Sequence, residues 1–406
     1  MSPHLTDFTP SAVAAGDRVV VFGAGDVAQL THCALESLGI RVACFVDPLL
    51  TGAGTRLRGT EVVATSALAA MDPDSTCLID AWDHTRYARK SELLARFPRV
   101  FLGVRLLREA DFDESGAPVA PEERGRRIEH YAAQCAPLLA PTGHLRLRSL
   151  DVVVTEACSM RCVDCSNLMQ YYAHPRHSDL DELHTSLEQL TAAVDGVDEF
   201  RVLGGEPFAN PRAGRVIRTL TGFQDSRRVV IYTNGTIVPR GDLMESLVHP
   251  RILVKITDYG EHSRRHEELC AELSSRGVTW LSQKPVWTDS GRIGRIERTP
   301  QELRRTFSDC CVNDLLTLLN GRLYLCPFSA NAMNLGALPA APQDVIDLRT
   351  EWPRNELRAR IEALYTRKSP LTACTFCRGR DDTTPTITPA VQVRRPLPLT
   401  PVKGRA

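Results

Sequence analysis

Cys158, Cys162 and Cys165 lie within the run Glu156-Ala157-Cys158-Ser159-Met160-Arg161-Cys162-Val163-Asp164-Cys165. Three thiolates on one short loop can hold three irons of a [4Fe–4S] cluster and leave the fourth iron open to a small molecule. A closed electron-transfer cluster takes four cysteines. A structural zinc site takes four Cys or His ligands, usually from two knuckles. An odd, compact triplet therefore points to a cluster that does chemistry. Residues 145–155, rich in Leu and Val, read as a short buried strand just before it. The cysteines then occupy a loop at the carboxyl end of a strand, where parallel α/β folds place reactive groups.

A second motif follows in Phe200-Arg201-Val202-Leu203-Gly204-Gly205-Glu206-Pro207-Phe208, a strand ending in two glycines, a carboxylate and a proline. Together the C-x3-C-x2-C triplet and the Gly-Gly-Glu-Pro run resemble the radical S-adenosylmethionine (SAM) superfamily. The resemblance implies that the open iron chelates the amino and carboxylate groups of SAM. It also implies reductive cleavage to a 5′-deoxyadenosyl radical, which abstracts hydrogen from substrate; the cofactors carry this chemistry and the protein positions them. On that reading Cys158, Cys162 and Cys165 are metal ligands. Gly204 and Gly205 let the backbone approach SAM, Pro207 fixes the turn, and Glu206 lies near the methionyl ammonium. Thr233 and Asn234, at the end of the strand 229–235, line the ribose. One position departs from the pattern: many members carry an adenine-packing aromatic just before the third cysteine, and here it is Asp164.

A second cysteine group comprises Cys310, Cys311, Cys326, Cys374 and Cys377. Two apolar runs flank Asn320-Gly321, a strong hairpin signal that brings Cys311 and Cys326 to the same end. A helical stretch over 354–367 precedes Cys374-Thr375-Phe376-Cys377. Four thiolates suit zinc as well as a closed cluster. The pattern C-x9-G-x4-C followed by C-x2-C resembles the twitch module, the shortened form of SPASM. That implies one auxiliary [4Fe–4S] cluster held by Cys311, Cys326, Cys374 and Cys377. Cys310 is left as a buried thiol or as a hydrogen-atom donor to a substrate radical. Cys33, Cys44, Cys77, Cys135 and Cys270 are isolated and read as core residues.

The N-terminal region alternates strands and helices, which predicts a Rossmann-like parallel sheet. Gly23-Ala24-Gly25-Asp26-Val27-Ala28 opens a helix, and Asp47 ends the next strand. Gly23, Gly25 and Asp47 are thus candidates for a nucleotide, a nucleotide-linked sugar or NAD. A docking or structural role is the alternative.

The fold class expected is α/β: an N-terminal Rossmann-like sheet, a central partial (β/α)6 TIM-type barrel and a C-terminal twitch-like hairpin-plus-helix module. The expected divisions are 1–118 for the first domain and 119–144 for a linker and connecting helix. The barrel takes 145–300, the auxiliary-cluster module 301–380, and a disordered, proline-spaced tail 381–406. Lys255, Asp258 and Tyr259, at the end of a barrel strand, are candidates for substrate contact or proton transfer.

Balanced charge, with 49 basic and 49 acidic residues among 406, argues against a duplex nucleic-acid binder. No apolar run is long enough for a membrane span. Thirteen cysteines without an export signal predict a reducing, cytoplasmic setting. The reaction expected is oxidation or epimerisation of a small hydroxylated substrate: a sugar, an aminocyclitol or a nucleotide-linked sugar. A flavodoxin- or ferredoxin-type protein would supply electrons. Modification of a ribosomal peptide or protein is the first alternative, and a non-catalytic iron–sulfur electron carrier the second.

Overall fold

The computed structural model describes residues 5–47, 55–81, 96–112, 119–139, 144–312, 315–380 and 384–399. The chain forms two compact units, Met1–Thr142 and Gly143–Ala406.

The first unit is built on a seven-stranded sheet. Its strands are β1 (Thr6–Asp7), β2 (Arg18–Phe22), β3 (Val42–Val46), β4 (Arg56–Leu57), β5 (Thr60–Val63), β6 (Thr76–Asp80) and β7 (Val100–Leu102). The order is β1-β7-β6-β2-β3-β5-β4, parallel throughout except for the β4 edge. With β2 at the centre and the chain winding outward to both sides, this is the Rossmann-like arrangement expected. Apolar side chains from β2, β3 and β6 fill both faces, as a sheet covered on both sides requires.

The helix Pro121–Leu139, in the stretch expected to be a linker and connecting helix, packs into this unit. Ile128, Tyr131, Ala132 and Cys135 join the core formed by the helix Asp26–Ser37 and the strands. An apolar stripe of this width has to be buried against a neighbour, and composition alone did not show which one. Residues 113–118 lie outside the described residues.

The second unit carries β8 (Arg146–Thr155), β9 (Gly196–Gly204), β10 (Ser226–Thr233), β11 (Ile252–Thr257), β12 (Trp280–Gln283), β13 (Trp287–Thr288), β14 (Leu316–Leu319), β15 (Arg322–Tyr324), β16 (Val345–Asp347) and β17 (Thr386–Ile387). Eight of these form one sheet in the order β12-β11-β10-β9-β8-β14-β15-β16. From β12 to β14 every pairing is parallel, giving six parallel strands. The helices Leu180–Ala193, Ala213–Gly222 and His266–Ser275 connect them and bury their apolar faces on one side of the sheet.

The sheet continues across the expected division at 300/301. β14 pairs directly with β8, so the hairpin is an extension of the central sheet. The turn itself is as expected: Asn320 and Gly321 both take positive φ, 47° and 68°, as a two-residue hairpin turn demands.

The expected disordered tail is corrected over residues 384–399. β17 pairs with β13, and Ala390 is 2% exposed. Prolines prevent this segment from folding on itself. They leave it extended, and an extended chain can satisfy its backbone against another segment. Residues 381–383 and 400–406 lie outside the described residues.

Candidate metal centre and active site

β8 delivers Cys158, Cys162 and Cys165 to a loop at its carboxyl end. Short turns hold the loop: Cys165 N–H donates to Cys162 O at 3.2 Å, and Leu168 N–H to Cys165 O at 3.0 Å. Burial raises all three thiols, Cys162 to about 11, and the neighbouring sulfurs add to the shift at Cys158 and Cys162. Such a set becomes anionic only beside positive charge, which is what a metal cluster supplies. The donor chemistry therefore fits an iron–sulfur cluster.

The Gly-Gly-Glu-Pro segment is built against this loop. Gly205 N–H donates to Thr155 O at 3.0 Å, and Glu206 N–H to Ala157 O at 2.9 Å. A Cβ on Gly204 would sit 2.1 Å from Thr155 O, and one on Gly205 2.3 Å from Ala157 O and 2.7 Å from Cys158 Cβ. The close approach that these glycines permit is thus between two protein segments. Pro207 opens a single turn, Pro207–Ala209, that Glu206 caps through Phe208 N–H at 3.1 Å.

Glu206 is fully buried. Its carboxylate accepts from Thr233 Oγ1 at 2.9 and 3.0 Å and from Asn234 N–H at 2.8 Å, tying the end of β9 to the end of β10. Burial pushes its carboxyl up to about 7, against these hydrogen bonds. Asn234 reaches the loop through Nδ2, 3.1 Å from Ser159 Oγ and 3.7 Å from Cys158 Sγ.

The candidates on β11 separate. Asp258 pairs with Lys284 at 2.6 Å and is anchored at the surface. Tyr259 packs on the three-cysteine loop, edge-on to Trp287 with ring centroids 5.9 Å apart. Asp164 does not face them; it binds Arg292 Nε at 3.0 Å. Lys255 lies over the Tyr232 ring, 5.5 Å from its centroid, and Arg201 lies 4.8 Å from it. Arg201 also meets Asp151 at 3.3 Å. Asp151, Arg201, Tyr232 and Lys255 thus form a polar row on the sheet face opposite the helices. Sequence reasoning missed Asp151 and Arg201, although charges within otherwise apolar strands were a usable signal.

In the second cysteine group, Cys310, Cys326, Cys374 and Cys377 line one small cavity of about 40 Å³ with Phe307 and Phe328. Ser166, next to Cys165, lines it too. Cys311, the ligand expected from spacing, is not among the lining residues, but it stands beside Cys310 and close enough to Cys377 to add to the rise that burial causes in its thiol. At the end of the helix Pro300–Ser308, Cys310 N–H continues the last turn to Phe307 O, while Cys311 N–H turns to Arg380 O. Arg298 Nη1 fastens the last two cysteines by donating to Cys374 O at 2.8 Å and Cys377 O at 3.0 Å. Among the described residues, no three His, Cys, Asp or Glu side chains converge on a single-ion site. A tetrahedral zinc would hold its sulfurs about 3.8 Å apart.

In the first unit, Gly23 has φ +112° and Gly25 precedes the helix Asp26–Ser37, as expected. Asp47 is buried at the end of β3. Residues of the helix Pro121–Leu139 reach this end of the sheet. Arg127 pairs with Asp26 at 3.2 Å at the helix N-terminus, and Tyr131 Oη donates to Asp80 O and accepts from Gly103 N–H. These groups stand at the carboxyl ends of β2, β6 and β7, where such a sheet would receive a nucleotide. Gly23, Gly25 and Asp47 lie at this same end of the sheet, and the segments 48–54 and 82–95 that follow β3 and β6 lie outside the described residues.

The radical SAM superfamily profile matches residues 152–271, spanning both motifs. This part of the chain is a radical SAM superfamily domain. GTP 3′,8-cyclase of Stenotrophomonas maltophilia is 36% identical over 92 residues, covering 22% of this chain and 28% of that protein. Molybdenum cofactor biosynthesis protein 1 of Mus musculus is 29% identical over 134 residues, covering 31% and 20%. The chain thus spans little more than a quarter of the first curated relatives' length. Among solved structures, BtrN in complex with AdoMet and 2-DOIA shares 17% identity at a TM-score of 0.35, covering 57% of this chain and 93% of that one. Native anSMEcpe with bound AdoMet and Kp18Cys peptide shares 12% at 0.36, covering 58% and 92%. Among the described residues, no helix is long and apolar enough to cross a membrane.

Proposed function

We propose that the protein is a radical SAM enzyme whose Cys158, Cys162 and Cys165 hold a [4Fe–4S] cluster. The observation that carries this reading is the joining of the three-cysteine loop to the Gly204–Pro207 segment through paired backbone hydrogen bonds. With SAM bound, that cluster supplies one-electron cleavage of SAM and a 5′-deoxyadenosyl radical for hydrogen abstraction. The chain's own residues hold and enclose the group. Glu206 fixes the ends of β9 and β10 beside the loop, and Tyr259 with Trp287 offers an aromatic surface in place of Asp164. Cys326, Cys374 and Cys377 with Cys310 would hold an auxiliary cluster in the second cavity.

For the substrate, a peptide or protein segment is the favoured class. The edge of the loop at Arg161–Val163 already accepts an extended chain, the segment Val391–Val393, through backbone hydrogen bonds. A small hydroxylated substrate is the second reading, favoured by the polar row Asp151, Arg201, Tyr232 and Lys255.

Anaerobic reconstitution followed by iron and sulfide analysis tests the cofactors; about eight irons per chain are expected for two clusters. Under dithionite, 5′-deoxyadenosine should form with SAM and rise with the right substrate, offered as peptides in one arm and aminocyclitols and sugars in the other. The triple variant C158A/C162A/C165A should form none. Absence of SAM cleavage by the reconstituted parent would leave an electron carrier as the reading.

A further inference from the structure

The C-terminal segment runs antiparallel to the cluster loop. Val163 N–H donates to Val391 O at 2.8 Å, and Val393 N–H donates to Arg161 O at 2.8 Å. Between these two bonds Gln392 points its amide at the loop. Its Oε1 accepts Arg161 N–H at 2.7 Å. Its Nε2 donates to Ala390 O at 2.7 Å and to Cys162 Sγ at 3.2 Å.

The orientation of this amide follows from its partners. Turned over, it would set N–H against the N–H of Arg161 and its oxygen against the oxygen of Ala390. Only one orientation satisfies all three contacts, and it aims an N–H at the sulfur. The contact is closer than that of Asn234 to Cys158 Sγ, at 3.7 Å. Gln392 itself is exposed, but the sulfur it reaches lies in a buried apolar cluster of Met160, Cys162 and Ala390, so the acceptor end of the hydrogen bond is shielded from water.

We propose that Gln392 is a positioning residue for the SAM-binding cluster: it orients Cys162 and, by donating to its sulfur, raises the cluster's reduction potential. The inference rests on the radical SAM reading of this loop. Its physical basis is that reduction adds negative charge to a cluster. A donor to a ligand sulfur stabilises the reduced state more than the oxidised one.

The test is a redox titration of the anaerobically reconstituted full chain, following the EPR signal that changes when SAM is added. Q392L removes the donor, and Q392E puts a carboxylate oxygen in its place while keeping an acceptor for Arg161. The midpoint should fall in both, further in Q392E. The reduction equilibrium should shift roughly tenfold in Q392L, equivalent to about 59 mV for a one-electron couple. V391A changes a side chain that is 48% exposed and leaves the backbone bonds in place, so it should match the parent. Should Q392L lose its iron, Q392N, whose amide is one methylene short of the sulfur, reads the same contact and should also fall. Midpoints equal to the parent's in the iron-loaded variants would overturn the inference, as would V391A falling as far as Q392L. A parent with no SAM-responsive signal would overturn the radical SAM reading and this inference with it, an outcome distinct from a responsive parent with unshifted variants.

Discussion

Asn334 donates its Nδ2 to Glu156 Oε1 at 2.8 Å, joining the residue that introduces the first cysteine loop to the helix that starts after Cys326. Asn320, in the hairpin turn, donates to the same oxygen at 3.3 Å, and Arg176 N–H donates to Oε2 at 2.9 Å. One buried carboxylate therefore holds the two cysteine groups in register. In E156A the Arg176 N–H loses this acceptor, while Asn320 and Asn334 keep Asn334 Oδ1 and Tyr172 Oη, so the cost should be about 1–3 kcal/mol. The urea midpoint of the metal-free protein should drop. N334A should add less than its own cost to E156A, which a double-mutant cycle will read as coupling.

Gly205 and Gly222 should respond in opposite ways to alanine. At Gly205 the new Cβ meets Ala157 O and Cys158 Cβ, so the cysteine loop must move. G205A should lose about 1–3 kcal/mol of stability, with lower iron retention and SAM cleavage. Gly222 ends a helix with nothing within 4 Å of an added Cβ, and G222A should be neutral or slightly stabilising. Iron content and denaturation midpoints of the two variants check this.

Glu206 makes the metal-free protein sensitive to pH. Its carboxyl titrates at about 7 in the fold, because burial opposes its charge, and at about 4.3 in an unfolded chain. Between these values the folded state holds a proton that the unfolded state has lost. Stability is therefore greater below pH 4.3 and falls as pH rises to 7, by about 3–4 kcal/mol from this group. Urea midpoints at pH 5 and pH 8 should show the fall, and E206Q should flatten it.

Single alanine variants will separate the adjacent cysteines. C310A, C326A, C374A and C377A should each reduce iron by up to about four per chain, the share of one cluster. C311A should retain it, since Cys311 does not line the cavity. Iron loss in C311A with retention in C310A would restore the assignment made from spacing.

The parts that could be read directly were those whose partners are close in sequence. The three cysteines lie within eight residues, and Gly204 to Pro207 form one turn after one strand. Asn320-Gly321 encodes its own hairpin through positive φ. The tail misled because its composition predicts no self-structure, while its partners Arg161 and Val163 lie more than two hundred residues away. Arg201 and Asp151 read as interruptions of apolar strands until strand pairing put them side by side.

By itself the sequence determined the chemistry on offer: a three-thiol loop, the motif that accompanies it, four further thiols and an α/β framework. Covalent spacing sufficed, because each of those features needs only a loop or one strand and its turn. Tertiary structure alone decided that Cys310 lines the second cavity, that Tyr131 bridges the ends of β6 and β7 and that Gln392 reaches Cys162. Each depends on which direction a side chain takes when distant segments pack, and packing follows from burial and hydrogen-bond satisfaction over the whole unit.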